Sequence, residues 1–384
     1  MKYPGNTIEQ DVVKSLQEQE PFLQLPGVRV TQIQVSEELP FDIQFELYSG
    51  NTHVLVYGEV KAAFTPKQLA DLKPWIQRLQ SVRGDVTFAI IAPTLSKQAQ
   101  NYCIENEINF LDLAGNISIN VPGKFVLQRL GLKEQNRKGK DQKSPSEANA
   151  FSGRFSRVVR VLLEDPKTWT LTEIAAELDQ QSTANPLLSR FPMDLPKPID
   201  FGISLGSISK VLTSLEEQLL VRRRNSAVLI PEPQRLLTVW AEKYRERYRW
   251  RLRQSFRLKN PIAGGLQELA HLLTNTGIGP FAITGPAAAS LRAPFVDIGT
   301  VDIFLSTLSS VRPMLETMPA SIEGPEIRFV EPYDLGVFLY AEVERGIPIV
   351  SDIQAYLDLY ARGGRDQKQA TYLLENAIAP RWQQ

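Results

Sequence analysis

"FDIQFELYSGNTHVLVYGEVK", residues 41–61, decides the reading of the first third of the chain. Two apolar-rich runs flank Ser49-Gly50-Asn51-Thr52, a turn signal with Gly and Asn at its centre. Strands joined there pair so that Ile43 faces Gly58 and Tyr48 faces His53. Side chains alternate between the two faces. One face then holds Phe41, Ile43, Phe45 and Leu47 against Val60, Gly58, Val56 and Val54. The other holds Asp42, Gln44, Glu46 and Tyr48 against Glu59, Tyr57, Leu55 and His53, with Lys61 one step beyond. A one-residue slip would mix the faces, so this register is expected. It sets Asp42 across from Glu59, where like charges repel unless something neutralises them. Two carboxylates and nearby oxygens suit Mg²⁺. Lys61 would then hold a water near a phosphate, as metal-assisted phosphodiester cleavage requires. The alternative is an ordinary hairpin with a solvated polar face and Lys61 as its counter-charge.

The surrounding sequence alternates helix and strand patterns. "TIEQDVVKSLQEQ" (7–19) puts Ile8, Val12, Val13 and Leu16 on one helical face. "TPKQLADLKPWIQRLQSV" (65–82) reads as a helix capped by Thr65, opened by Pro66, and kinked or split at Pro74. "DVTFAIIAP" (85–93) is a buried strand. "TLSKQAQNYCIENE" (94–107) is a helix and "INFLDLAGNISINVPGKFVLQRL" (108–130) a set of short strands. That order predicts an α/β domain on a mixed sheet over 1–132. Asp42, then Glu59-Val60-Lys61 on the next strand, then a helix and a buried strand, resemble the PD-(D/E)XK nuclease superfamily. The resemblance implies a restriction-endonuclease-like sheet. It also implies catalytic roles for Asp42, Glu59 and Lys61, with Mg²⁺ on Asp42 and Glu59. Glu9, on the first helix, matches an acidic residue that often joins the family's site. Phe41 stands where the family sometimes has proline. An active nuclease and an inactive copy of the fold both stay open at this point.

Lys plus Arg and Asp plus Glu each number 43, so the formal net charge is zero. The zero is a sum of unlike parts. Residues 1–132 carry 11 basic against 14 acidic, 133–260 carry 24 against 15, and 261–384 carry 8 against 14. The segments are therefore −3, +9 and −6, a basic middle between acidic flanks. Such a middle suggests a polyanion-binding module. The lone cysteine, Cys103, excludes an internal disulfide and a cysteine-rich zinc site, and is expected as a packed thiol. The two histidines, His53 and His271, have no supporting motif for a Ser-His-Asp enzyme. No apolar run approaches the roughly 18 residues a spanning helix needs. The N-terminus lacks the apolar core of a signal peptide, so a cytoplasmic address without membrane contact is expected.

Residues 133–150, "KEQNRKGKDQKSPSEANA", read as a polar linker. Beyond it, Phe155, Val158, Val159 and Leu162 form one helical stripe. Thr170 or Thr172 caps a second helix carrying Ile174, Ala175 and Leu178. After a Pro-rich insertion, "SLGSISKVLTSLEEQLLVRRRNSAVLI" (204–230) reads as a third helix and a hairpin turning near Asn225-Ser226. Three helices and a basic hairpin resemble a winged helix-turn-helix, here over 151–258. That resemblance implies duplex DNA as partner. Ser207, Ser209 and Lys210 would enter the major groove, and Arg222, Arg223 and Arg224 would reach phosphates or the minor groove. "AEKYRERYRWRLRQSFRLK" (241–259) follows as a basic linker helix with Tyr244, Tyr248 and Trp240 on one stripe.

In the last third, 259–384, Thr284-Gly285-Pro286 with Asp297 and Asp302 superficially suggests a nucleotidyltransferase. The closely spaced carboxylate pair is missing, so catalysis is rejected there. "ITGPAAASL", "VDIFL" and "VSDIQAYLDLYARGGR" behind a winged helix resemble the AbiEi-like antitoxins of type IV toxin–antitoxin systems. The family's short members lack the long N-terminal domain. The resemblance implies a C-terminal α/β domain, a DNA-binding transcriptional regulator, a cognate toxin and possible pairing into a homodimer on two half-sites. The rival readings are a Mg²⁺-dependent endonuclease targeted by the winged helix, and a protein-interaction scaffold.

Overall fold

A computed structural model describes residues 6–22, 25–35, 41–82, 86–132, 150–191, 199–253, 255–258, 265–275, 279–294, 299–306, 308–317 and 325–383. The expected linker lies outside the described residues except for Ala150, as do Lys259, Asp297 and the middle of the Pro-rich insertion. The chain divides into two compact units, Met1–Ser144 with Glu217–Leu219, and Pro145–Glu216 with Leu220–Gln384.

The first unit runs α1 (Asn6–Gln17), β1 (Val28–Val35), β2 (Ile43–Ser49), β3 (Thr52–Val60), α2 (Pro66–Val82), β4 (Val86–Ala92), α3 (Lys97–Glu105), β5 (Asn109–Asp112), β6 (Ile117–Val121) and β7 (Phe125–Arg129). All seven strands form one mixed sheet in chain order. β3, β4 and β5 are mutually parallel, and α2 and α3 supply the crossovers that parallel neighbours need. The β2–β3 register is the expected one from Ile43 opposite Gly58 to Ser49 opposite Thr52, but the ladder stops at Ile43, and the expected pairs Asp42–Glu59 and Phe41–Val60 are not part of it. Gly50 holds φ at +61° in the turn, where glycine carries no Cβ penalty.

Both faces of the sheet are covered. Ile43, Phe45, Leu47, Val54, Val56 and Val60 pack with Val12 and Leu16 of α1. Tyr57, Phe88, Ile90 and Phe110 pack with Leu69 and Ile76 of α2 and with Ala99 and Cys103 of α3. The face read as the polar side of the hairpin is therefore half core: Tyr57 is buried and Leu55 packs beside it. Phe41 also changes sides. The ladder begins at Ile43, and Phe41-Asp42 form a bend before it. Released from strict alternation, Phe41 stacks on Tyr57 with ring centroids 3.9 Å apart. α2 is not split, because it runs through Pro74. That residue is exposed, on the side of the helix where solvent is available to a carbonyl left unbonded. Cys103 is the packed thiol expected, and burial pushes it up to about 12.

The second unit begins with α4 (Ser156–Glu164), α5 (Leu171–Ala184), α6 (Leu205–Glu217), β8 (Arg222–Arg224), β9 (Ala227–Leu229) and α7 (Pro233–Arg253). It continues with β10 (Phe256–Leu258), α8 (Leu266–Asn275), β11 (Phe281–Thr284), α9 (Gly285–Arg292), β12 (Thr300–Leu305), α10 (Leu308–Glu316), β13 (Glu326–Val330), β14 (Glu342–Glu344), β15 (Ile347–Ile349), α11 (Asp352–Arg362) and α12 (Arg365–Leu373). β8 and β9 pair alone, and the remaining strands make a sheet in the order β10-β13-β12-β11-β15-β14. One continuous core runs from Ala150 to Ile378. The boundary read near residue 258 therefore parts two chain segments that share a core. α7 is a core helix rather than a linker: Leu236, Leu237, Trp240, Ala241, Tyr244 and Tyr248 are buried along one side. Thr170 caps α5 in a capping box with Glu173. Among the described residues no helix is long and apolar enough to cross a membrane.

Gly58 lies at a tight point in the core of the first unit. A Cβ there would lie 2.7 Å from Ile91 Cδ1 and 2.9 Å from Ile43 Cγ1, inside the core. Gly58→Ala is expected to destabilise the unit by about 1–3 kcal/mol through overpacking. Urea denaturation followed by circular dichroism checks this, and an unchanged midpoint would rule it out.

Candidate functional site

α6 and the β8–β9 hairpin form the first candidate. Ser204 starts α6: its carbonyl accepts the N–H groups of Ser207 and Ile208 at 2.9 and 3.0 Å. Its Oγ donates to Ser207 Oγ at 3.0 Å. Ile208, Val211, Leu212 and Leu215 bury the opposite side of the helix. What α6 leaves outside is its first two turns: Ser204, Leu205, Gly206 and Lys210 are exposed, and Ser207 and Ser209 half-buried.

The hairpin turns through Asn225 and Ser226 at φ 49° and 68°, the two positive values a type I′ turn requires. Arg222 pairs with Leu229, Arg223 with Val228 and Arg224 with Ala227. Val228 is buried and bridges to Trp169, each donating a backbone N–H to the other's carbonyl at 2.7 and 2.9 Å. Arg223 shares that inner face and turns back onto α6. Its Nε donates to Glu216 Oε2 and its Nη2 to Thr213 Oγ1, both at 3.0 Å. Of the three arginines, then, only Arg222 and Arg224 point outward, and both are exposed. Among the described residues neither they nor Lys210 make an ion pair. Arg223 is a positioning residue instead.

The hairpin of the first unit holds the second candidate. Asp42 Oδ2 accepts the Val60 N–H at 2.6 Å, and the Asp42 N–H donates to the Gly58 carbonyl at 3.0 Å. Glu59 sits at the end of β3 and pairs with Lys61 Nζ at 3.0 Å, with side chains 17% and 42% exposed. Lys61 also lies 5.6 Å over the Phe64 ring. Glu9 belongs to the same electrostatic neighbourhood. Its carboxyl is raised above the ordinary 4.5, first by burial, then by the charges of Asp42 and of Glu59. Glu9 thus feels two of the residues it was expected to join, and Lys61 pairs with one of them. Among the described residues no group of three or more His, Cys, Asp or Glu is disposed to hold a metal ion. A protein cage for Mg²⁺ does not fit. What the donors fit is a cation held by one or two carboxylates and shared with a phosphate.

The second unit also buries charged side chains. Arg157 clamps Asp334 with Nε and Nη2, both at 2.7 Å. Arg160 donates to Gln354 Oε1 at 2.7 Å. Asp358 accepts from Tyr244 and Thr284 at 2.6 Å and from Gln354 at 2.9 Å, and burial pushes it up to about 6. Asp302 accepts from Arg328 at 2.6 and 2.8 Å and from Arg362, so its oxygens face two guanidinium groups. The signal was present in the sequence, as single charges set inside apolar runs such as "RVVRVLL" and "AYLDLY".

Comparison with family models and with curated proteins gives no match. Among solved structures, EndoMS in its apo form aligns at 17% identity with a TM-score of 0.21. The alignment covers 29% of this chain and 47% of EndoMS, about half of that protein's length. A likeness at that level does not bear on fold or function.

Because Glu9 is raised above its ordinary value, it adds stability that is complete below 4.5 and is lost as pH rises through its folded value. Asp42→Asn, which keeps an oxygen for the Val60 N–H, is expected to move Glu9 down toward the ordinary value. Carboxyl titration by NMR reads the shift, and a Glu9 value that stays or rises would contradict the assigned cluster.

Proposed function

We propose that this chain is a DNA-binding regulator that grips duplex DNA with α6 and the β8–β9 hairpin, arranged as a winged helix-turn-helix. The observation that carries the reading is the sorting of the hairpin. Arg223 is pinned to α6, while Arg222 and Arg224 stand outward with Lys210 on the exposed start of α6. Cations so placed match a phosphate backbone, and the first turns of a helix with small polar side chains fit a major groove. The antitoxin-like role, a toxin as partner and the pairing of two copies on two half-sites rest on the sequence resemblance alone.

The second reading is Mg²⁺-dependent cleavage at the first unit. It is favoured by the coupling of Glu9 to Asp42 and Glu59 beside Lys61. A Mg²⁺ ion shared between those carboxylates and a phosphate would supply charge neutralisation at the scissile group. Lys61 would orient a water, and Glu9 would be drawn into its ionised form by the added positive charge.

Duplex binding by the full chain is expected to weaken with salt. The double variant Arg222→Ala, Arg224→Ala should lower the slope of log K against log salt by about 2, one for each phosphate no longer neutralised. Titration of a fluorescent 30-base-pair duplex over a salt series measures this, and an unchanged slope would sink the assignment. The cleavage reading expects plasmid nicking that needs Mg²⁺ and disappears in Lys61→Ala. Wild-type protein inert on plasmid and branched DNA would end it.

A further inference from the structure

The sheet of the first unit has two edges among the described residues, β1 and β7, and they are built differently. β1 is blunted. Its register slips between Thr31 and Gln34, and Gln32 takes φ 53°, a local kink that turns an edge strand away from new partners. β7 pairs with β6 without a break, from Phe125 opposite Val121 to Arg129 opposite Ile117. The direction of its main chain follows from β6. The Asn116 carbonyl accepts the Asp112 N–H at 2.9 Å, and the Asn120 N–H donates to Asn109 Oδ1 at 2.8 Å. Even-numbered residues there turn their main chain toward β5. Bonds alternate along an antiparallel pair, so β6 holds β7 through Phe125, Leu127 and Arg129. The N–H and C=O groups of Val126 and Gln128 therefore project from the open edge of the sheet. Burial alternates in step, and one residue beyond the strand: Leu127 is buried, while Val126, Gln128 and Leu130 are exposed. Val126 is 72% exposed and Leu130 41%.

An unblunted edge is a template for another strand, and the pattern of side chains along it selects which one. We infer that two copies of this chain join antiparallel through β7, about a two-fold axis at Gln128. In that register Gln128 of one copy exchanges both main-chain bonds with Gln128 of the other. Val126 of each copy lies across from Leu130 of the other, so the exposed apolar side chains of this edge cover each other twice. Arg129 falls opposite Leu127. The neighbouring registers are worse. An axis at Arg129 sets that arginine against itself. An axis at Leu127 sets Val126 against Gln128 and Leu130 against Lys124. The apolar pattern therefore chooses one register of the three. This pairing does not depend on the duplex-binding reading above. An extended peptide from another protein is the other occupant of a sheet edge, and it would leave the chain itself monomeric.

The test is sedimentation velocity of the full chain over a concentration series, without nucleic acid. A short edge-to-edge contact is a small interface, so a monomer–dimer equilibrium in the micromolar range is expected. Val126→Asp should weaken the dimer about tenfold or more, since the two-fold axis repeats each lost contact. Leu130→Asp, outside the strand proper, should do the same, which guards against a folding defect in the first variant. The double variant Val126→Asp, Leu130→Lys should restore the dimer, because the carboxylate of each copy meets the ammonium of the other. The restored dimer should weaken with salt, unlike the wild type. A wild-type chain that stays monomeric at every concentration would overturn the inference. So would a dimer indifferent to both single substitutions, or one that the double variant fails to restore.

Discussion

The backbone pairing of Trp169 with Val228 is the constraint on which the candidate interface depends. It ties the segment between α4 and α5 to the middle of β9 and buries Val228. Once Val228 faces inward, pleating sends its partner Arg223 inward too, and sends Arg222, Arg224 and Leu229 outward. The ion pair of Arg223 with Glu216 then fixes the hairpin against α6. That pair is only partly buried and is worth little as stabilisation. Its consequence is geometric, because it decides which cations remain for a ligand.

The sum of +9 over residues 133–260 overstates the charge available to a polyanion. Arg157 is buried against Asp334, and Arg160 is buried beside Gln354 and 5.0 Å over the Trp240 ring. Charges of that kind serve the core, where each guanidinium is held by specific acceptors or an aromatic face. Among the described residues, exposed cations stand at the start of α6, on the outer face of the hairpin, and along α7 at Arg247 and Arg249.

How far the fold was legible varies with the kind of information each element carries. The β2–β3 register followed from the Gly50-Asn51 turn and strict alternation, both local signals. Phe41 was misplaced because alternation ends where the ladder ends, one residue before sequence can mark it. The second core under Tyr57 was hidden because Leu55 and Tyr57 alternate with His53 and Glu59 and read as a mixed polar face. Pro74 has a known effect on a helix, but its exposure, which makes it tolerable, is a tertiary fact. The Asp358 network joins residues 114 and 74 positions apart, beyond any local pattern. In the candidate sites, the grouping of Glu9 with Asp42 and Glu59 was legible by resemblance, and the loss of Arg223 to Glu216 was not. That loss depends on how the hairpin lies on α6.

The most direct test of duplex binding by α6 and the hairpin is hydrogen–deuterium exchange of the full chain with and without a saturating random-sequence 30-base-pair duplex at low salt. Added protection concentrated in residues 204–210 and 222–229 is the predicted result. Protection confined to other segments, or none at all under conditions where the duplex is bound, would contradict it.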